Sequence, residues 1–189
     1  MTNNDFLPEG TEIPQAPSNY MKLEEGENVI RALSSVVIGY EYWTGEEKDR
    51  KPVRVKDFDE VPDEFKNNKD NRNNAKYFWA FVVYNFETKS IQILEVKQKG
   101  IMSGIERLTK NAKWGNPKDY NLIINKVKTG SEPRDVEYNV MPEPKEKLEA
   151  DILKRYSEMT IDLGALFTGD DPFGKKEDQV NPDDVPANL

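Results

Sequence analysis

Residues 76–86 of the chain read KYFWAFVVYNF, and this run predicts the central strand of the fold. It is almost continuously apolar and rich in the aromatic and β-branched residues that favour strands. The turn ETKS at 87–90 leads into IQILEVK at 91–97, so the two runs predict a β-hairpin. Alternation places rings on both faces of the first strand: Tyr77, Trp79 and Phe81 on one, Phe78, Tyr84 and Phe86 on the other. A single small core has no room for both sets, so the second face must be covered by another element or used for binding.

The rest of the chain predicts a small β-barrel around this hairpin. A short amphipathic helix at 101–114 follows the hairpin, and a bulge is expected at Ser34–Ser35 or Gly39. An OB-type barrel has such a helix between its third and fourth strands. A β-sandwich is the alternative, but it leaves the helix unexplained. The remaining predicted strands are 28–43, 52–55, 120–128 and 135–140.

The fold class we expect is mainly β, an OB-type small β-barrel with one short internal helix and terminal extensions. A C-terminal amphipathic helix should present one apolar stripe, made of Leu148, Ile152, Tyr156 and Met159. Both ends of the chain are rich in Pro, Gly and polar residues, which predicts disorder. The expected divisions are a flexible arm at 1–19, the OB-fold domain at 20–144, the C-terminal helix and linker at 145–167, and a disordered acidic tail at 168–189.

The composition excludes many kinds of catalysis. The 189 residues include no Cys and no His, so disulfides, thiolate nucleophiles, imidazole bases and Cys/His zinc sites cannot form. The acidic segment 57–64 lacks the ligand order of a calcium loop, and no glycine motif for phosphate binding occurs. We therefore expect a protein that is not an enzyme and uses no cofactor or metal.

Charge is unevenly distributed along the chain. The formal net charge is −8, yet Lys66 to Lys128 contains thirteen Lys or Arg and only five Asp or Glu. Both ends are acidic. A basic middle attracts polyanions, and an acidic tail can compete for the same groove or recruit a basic partner. The alternative is a charge distribution without function.

Aromatic residues interleaved with bases predict an interface for single-stranded nucleic acid, because unpaired bases stack on rings and cations follow the phosphates. The stacking candidates are Trp43, Tyr77, Trp79 and Trp114. The phosphate candidates are Arg54, Lys76, Lys97, Lys99, Arg107, Lys110 and Lys113. The alternative is that most of the rings belong to the core and the basic helix face is ordinary solvated surface.

The C-terminal tail contains a second candidate site for a protein partner. Asp170, Asp171, Pro172 and Phe173 place a ring beside two acids, an arrangement that suits an apolar pocket with a basic rim. The alternative is a tail that only improves solubility.

An ordered series of segments resembles the bacteriophage single-stranded-DNA-binding proteins, OB-fold proteins encoded with phage replication genes. The segments are LEEGENVIRALSS at 23–35, GYEYW at 39–43, WAFVVYN at 79–85, IQILEVKQ at 91–98, KDYNLII at 118–124 and YNVMPEP at 138–144. Residues 165–167, ALF, and 171–173, DPF, resemble the tails of these proteins. The T-even phage member has a structural zinc, which this chain, without Cys or His, cannot reproduce.

The resemblance implies sequence-independent coating of single-stranded DNA during replication and recombination, with an acidic tail that contacts replication proteins. Two alternatives stay open, a phage assembly protein that does not bind DNA and an OB module that binds RNA. Residues 1–20 lack the regions of a signal peptide, and no run is long and apolar enough to cross a membrane. We therefore expect a cytoplasmic protein, in the host cytoplasm if phage-encoded, with no membrane partner.

Overall fold

The computed structural model describes residues 18–67 and 73–174. The fold in these ranges is mainly β, which confirms the expected class. Short 3-10 turns occupy 47–49, 58–60, 63–65 and 117–119. The strands and helices are β1 (Gly26–Ala32), β2 (Val37–Thr44), β3 (Lys51–Val55), β4 (Lys76–Asn85), β5 (Ser90–Val96), α1 (Lys99–Lys110), β6 (Leu122–Lys128), β7 (Val136–Pro142), α2 (Ala150–Glu158) and α3 (Ala165–Thr168).

The strands form one antiparallel sheet centred on β4. The order is β3-β2-β4-β1-β6-β7, and β5 pairs with the other edge of β4, as the hairpin prediction requires. The predicted strand 28–43 is divided into β1 and β2, which follow one another along the same edge of β4. The interruption lies at Ser34, one of the predicted bulge positions, where the Ser34 hydroxyl accepts a hydrogen bond from the Val82 amide at 2.8 Å.

The sheet does not close into a barrel through strand pairing. No ladder joins β5 to β7 among the described residues. Helix α1 connects β5 to β6 and packs against β7 instead. Gly104 makes this approach close, since a Cβ built there would lie 2.7 Å from the Cβ of Val140. Helix α1, rather than a strand ladder, therefore connects β5 to β7.

Each face of the β4–β5 hairpin is buried in its own apolar cluster. The first cluster lies between the sheet and α1, with Phe81 and Leu94 near its centre. The second lies on the opposite face, where Phe78 and Ile93 pack against residues that follow β7. The side chains that cover this face are Leu148, Ile152, Tyr156, Ile161, Leu163, Leu166, Phe167 and Phe173, and we call residues 148–174 the C-terminal cover. Covering by another element is thus the outcome for most of the second face.

The C-terminal cover corrects two predictions. In the predicted helical stripe Ile152 is buried, but Met159 is 38% exposed because α2 ends at Glu158. The predicted disorder from residue 168 is wrong as far as residue 174. The amide of Asp162 donates to the carbonyl of Pro172 at 2.7 Å, and Phe173 packs on the second cluster. The remainder of the predicted tail, 175–189, lies outside the described residues.

The predicted N-terminal arm also ends earlier than residue 19. Gln92 Nε2 donates to the carbonyl of Ser18 at 2.5 Å, and the amide of Ile93 donates to the carbonyl of Asn19 at 2.9 Å. These bonds attach residues 18 and 19 to β5, so the flexible-arm prediction is wrong for them. Residues 1–17 of that prediction lie outside the described part of the chain. Within the described ranges, no helix has the length and apolarity needed to span a membrane.

Replacing Gly104 by Ala should lower the free energy of unfolding by about 1–3 kcal/mol, because the added methyl group pushes α1 away from Val140. For the net effect to be destabilising, the cost of moving α1 must exceed the gain of about 1 kcal/mol that Ala brings to a helix interior. Gly100→Ala is the matched control on the same helix, since its Cβ would meet the Tyr138 carbonyl oxygen at an ordinary 3.4 Å. Urea unfolding of both variants measures the difference, and equal stabilities would contradict the close packing of α1 on β7.

Candidate nucleic-acid interface

The two faces of β2 and β4 differ in what they present. Cross-strand pairing aligns Ile38 with Trp79 and Tyr40 with Tyr77, and paired residues share one face. We call this the front face. Glu41, Trp43, Lys76 and Phe78 lie on the opposite, back face, where the C-terminal cover packs. The predicted site residues on this part of the sheet are therefore divided between two surfaces.

The front face has an exposed strip of apolar and aromatic side chains. Ile38 is 52% exposed, and Val36 and Tyr77 are each 39% exposed. Trp79 lies between them, partly buried against the first cluster. Its indole Nε1 is buried without a hydrogen-bond partner among the described residues. Contiguous exposed apolar side chains typically mark a binding surface, and we call Val36, Ile38, Tyr77 and Trp79 the aromatic strip.

The aromatic strip continues into a groove of about 360 Å³ at one end of the sheet. Its floor is apolar and includes Phe81, Ile105 and Leu122 from the first cluster. Two lysines stand at its rim. Lys110 pairs with Glu106 at 2.6 Å, and Lys118 Nζ donates to Ser35 Oγ at 3.1 Å. An apolar floor beside Trp79, with cations at the rim, fits a nucleobase whose flanking phosphates lie outside the groove.

The back face contains a compact network of four charges. Arg54 donates two hydrogen bonds to Glu95, at 2.8 and 2.9 Å, and its Nη2 lies 2.7 Å from Glu41 Oε2. Lys97 Nζ lies 2.5 Å from the other oxygen of Glu41. The Glu41 side chain is only 3% exposed and that of Arg54 15%. Because carboxylates already match their charges, Arg54 and Lys97 are poorly placed for the phosphate contacts predicted for them.

This network shifts the pKa values of its members. Burial alone would raise the pKa of Glu41, but the hydrogen bonds and positive charges of Lys97 and Arg54 outweigh burial and hold that pKa below its ordinary value. For Arg54 burial has the opposite sign and would lower the pKa, but the hydrogen bonds and negative charges of Glu95 and Glu41 outweigh burial and leave the pKa of Arg54 raised. The charged forms of both groups are therefore favoured in the folded protein.

The other two tryptophans lie apart from the aromatic strip. Trp43 is on the back face, where its Nε1 donates to Glu41 Oε1 at 3.2 Å and the guanidinium of Arg50 lies 5.4 Å from its ring centre. Trp114 follows α1 and packs against Tyr120, with ring centres 5.5 Å apart. Of the four stacking candidates, the structure therefore brings only Tyr77 and Trp79 together.

The remaining basic candidates are exposed but dispersed. Lys110 is at the rim of the groove, whereas Lys76 is on the back face and Lys99 begins α1. Arg107 and Lys113 are exposed on and just after α1. The acidic segment 57–64 forms two short turns, and no group of three or more Asp, Glu, His or Cys placed to hold a metal occurs in the described ranges.

The sequence prediction missed three residues of this part of the structure, namely Ile38 in the aromatic strip, Lys118 at the rim of the groove and Arg31, which precedes Ala32 of the groove wall. Ile38 alternates with Tyr40 along a strand, so strand periodicity was sufficient to place it beside the rings. Arg31 stands within the apolar run 29–33, and a lone charge in such a run was an available signal. Lys118 offered no signal, because its position at the groove depends on the turn at 117–119 packing beside α1.

Glu41→Gln should lower the free energy of unfolding by about 2 kcal/mol at about pH 7, because Arg54 and Lys97 lose a charged acceptor. The folded-state pKa of Glu41 lies below the ordinary value of 4.5. Its contribution to stability is therefore fully present above about pH 4.5 and is lost as the pH falls through the folded-state pKa. Urea unfolding at a series of pH values should show the gap between wild type and variant closing in acid.

Glu27→Gln, at an exposed position of β1, is the matched control for that experiment. It removes the same charge without touching the network, and should change stability little at any pH. A gap for Glu41→Gln that stayed constant into strong acid, or that was no larger than the control's, would contradict the assigned role of Glu41.

The chain was compared with protein-family models, with curated proteins and with solved structures, and none of the three comparisons found a match. The resemblance to phage single-stranded-DNA-binding proteins therefore stays a prediction, and the proposed function depends on the geometry of the strip, the groove and the surrounding charges.

Proposed function

We propose that this protein binds single-stranded DNA without sequence preference, through the aromatic strip and the adjoining groove. The observation that supports the proposal best is the continuity of the two, since exposed Tyr77 and partly buried Trp79 lead into an apolar groove with Lys110 and Lys118 at its rim. Aromatic rings stack with any base, so a site built from them tolerates sequence variation.

An OB-type arrangement of the strands supports the same proposal. In this interpretation β1 and β2 together are the first barrel strand, followed by β4, β5, β6 and β7, and β3 is an addition. The helix α1 then lies between the third and fourth strands, as it does in OB folds. The unclosed seam between β5 and β7 is the departure from a regular barrel.

The biological role that follows is the coating of single strands during phage replication and recombination, in the host cytoplasm. The basic excess between Lys66 and Lys128 supports binding to a polyanion. Replication proteins are the proposed partners of the acidic C-terminal residues. Phe173 packs against the protein's own second cluster, so we expect a tail partner to bind residues 175–189 rather than this ring.

The unclosed sheet favours one alternative, an assembly protein whose strands pair with another chain. Unpaired strand edges are templates for such pairing. This alternative predicts oligomers whose formation depends neither on oligo-dT nor on the salt concentration. It is separated from the main proposal by the titration described next.

Titration of the full chain with oligo-dT, followed by tryptophan fluorescence, should show salt-sensitive binding that the matching duplex does not reproduce. If about five phosphates are neutralised, the slope of log K against log salt should be about −3.5. Tyr77→Ala should weaken binding by about 1–3 kcal/mol, since one stacking ring is removed.

Trp43→Ala is the matched control, because Trp43 is 38% exposed against 39% for Tyr77 but lies on the back face. The affinity of the Trp43→Ala variant for oligo-dT, measured by the anisotropy of a labelled oligomer, should equal that of the wild type. Equal losses of oligo-dT affinity in Tyr77→Ala and Trp43→Ala would contradict a role of the aromatic strip in binding. Failure of the wild type to bind at low salt would support the assembly alternative.

Removal of residues 175–189 should tighten oligo-dT binding, most strongly at low salt, because the removed segment has four acids against two lysines and its net negative charge competes with DNA. The cut begins after Gly174 so that Pro172 and Phe173 keep their packing. A full-length variant with Glu177→Gln, Asp178→Asn, Asp183→Asn and Asp184→Asn is the control that separates charge from chain length. Unchanged or weaker binding in both proteins would show that the tail does not shield the site.

A further inference from the structure

Arg31 is the most unusual polar residue in the interior. It lies in β1 between apolar neighbours and is only 2% exposed. Its Nε donates to Asn121 Oδ1 at 2.8 Å, and its Nη1 donates to the carbonyls of Glu146 at 3.2 Å and Lys118 at 3.4 Å. Its Nη2 is buried and has no partner among the described residues. A guanidinium with an unused buried donor favours an acceptor at that position.

No carboxylate of the described residues forms an ion pair with Arg31, although two lie close by. Glu143 and Glu146 each accept a hydrogen bond from Asn121 Nδ2, at 2.8 and 2.9 Å. Asn121 in turn holds the Arg31 Nε. The two acids therefore fix the orientation of the guanidinium through Asn121 and leave one edge of it unengaged.

Arg31 lies in the wall of an open cavity of about 590 Å³, which we call the Arg31 pocket. Lys118, Lys145 and Lys147 also line it, against the acids Asp119 and Glu146. Four basic groups against two acidic ones give the pocket a positive balance. Burial lowers the pKa of Arg31, and the charges of Glu146, Asp119 and Glu143 oppose that shift. The arginine keeps its proton, and the cost of burying its charge would fall if an anion were bound.

The Arg31 pocket adjoins the groove that contains Trp79. Ala32 and Lys118 line both cavities, so a ligand can extend from one to the other across this shared wall. Each nucleotide of a single strand has one base and one phosphate close together, and the apolar groove and the cationic pocket lie side by side in the same way.

We propose that the Arg31 pocket is a phosphate subsite of the bound strand, in which the Arg31 guanidinium donates to a phosphate oxygen and Lys118, Lys145 and Lys147 supply further positive charge. The adjacent base enters the groove beside Trp79. Charge-assisted hydrogen bonds from Arg to phosphate are among the stronger polar contacts in proteins. The inference rests on the proposed binding of single-stranded DNA and adds a site that the basic helix face does not include.

The experiment follows the side-chain Nε–Hε signal of Arg31 by nitrogen-15 NMR in the full chain, assigned by its disappearance in Arg31→Lys. Addition of oligo-dT should shift this signal. An oligo-dT whose backbone consists of uncharged methylphosphonates keeps the bases and should leave the signal unshifted. A signal that stayed unshifted while oligo-dT quenched the tryptophans would overturn the subsite and leave the proposed function intact. Absence of all binding would instead overturn the proposed function.

Lys145→Gln with Lys147→Gln tests the same pocket without disturbing the interior, since both lysines are exposed. The double variant should bind oligo-dT about five- to tenfold more weakly at low salt, and its salt slope should be shallower by about 0.7 for each phosphate that the protein no longer neutralises. The matched control is Lys128→Gln with Lys154→Gln, two exposed lysines that line neither cavity. Equal affinities and slopes in the two double variants would overturn the phosphate subsite.

Discussion

Strand β4 is apolar on both faces, and the arrangement of the other elements follows from the need to remove both faces from water. Full burial of one large apolar side chain is worth about 1.5–3 kcal/mol, and Phe78 and Phe81 lie on opposite faces of the strand. One face is buried by the curved sheet and α1. The other is buried by the C-terminal cover, so these residues are part of the fold rather than an appendage to it.

The two coverings also decide which side chains of β4 stay exposed. They bury opposite faces of the middle of β4 and β5, but at the beginning of β4 the front face is left partly open, so Tyr77 and Ile38 remain exposed. The back face at the same level is closed by Phe167 of α3, whose ring centre lies 5.9 Å from that of Phe78. Of the two sets of rings that alternation separates, the front set therefore keeps Tyr77 exposed and Trp79 partly exposed, whereas Phe81 is buried.

Local patterns predicted the hairpin 76–97, the helix after it and the interruption at Ser34, because each depends on residues close in sequence. The outcome for the second face of β4 was not predictable, since it depends on residues after 148 folding back across the sheet. The prediction of the site residues failed most often for the same reason, because their surroundings depend on contacts distant in sequence. Arg54 looked like a phosphate ligand until the register of three strands placed it between Glu41 and Glu95.

The position of those acids explains how the back face holds two cations beside the C-terminal cover. Arg54 and Lys97 lie beside the C-terminal cover, where unmatched cations would be costly to bury, and Glu41 and Glu95 neutralise them there. On the front face the acidic turns 57–64 lie close to Tyr77, since the ring of Tyr40 packs between Phe58 and Tyr77, with ring centres 5.1 and 5.3 Å away. The excess positive charge of residues 66–128 is therefore better placed at the other end of the aromatic strip, where Lys110 and Lys118 stand at the rim of the groove beside Trp79.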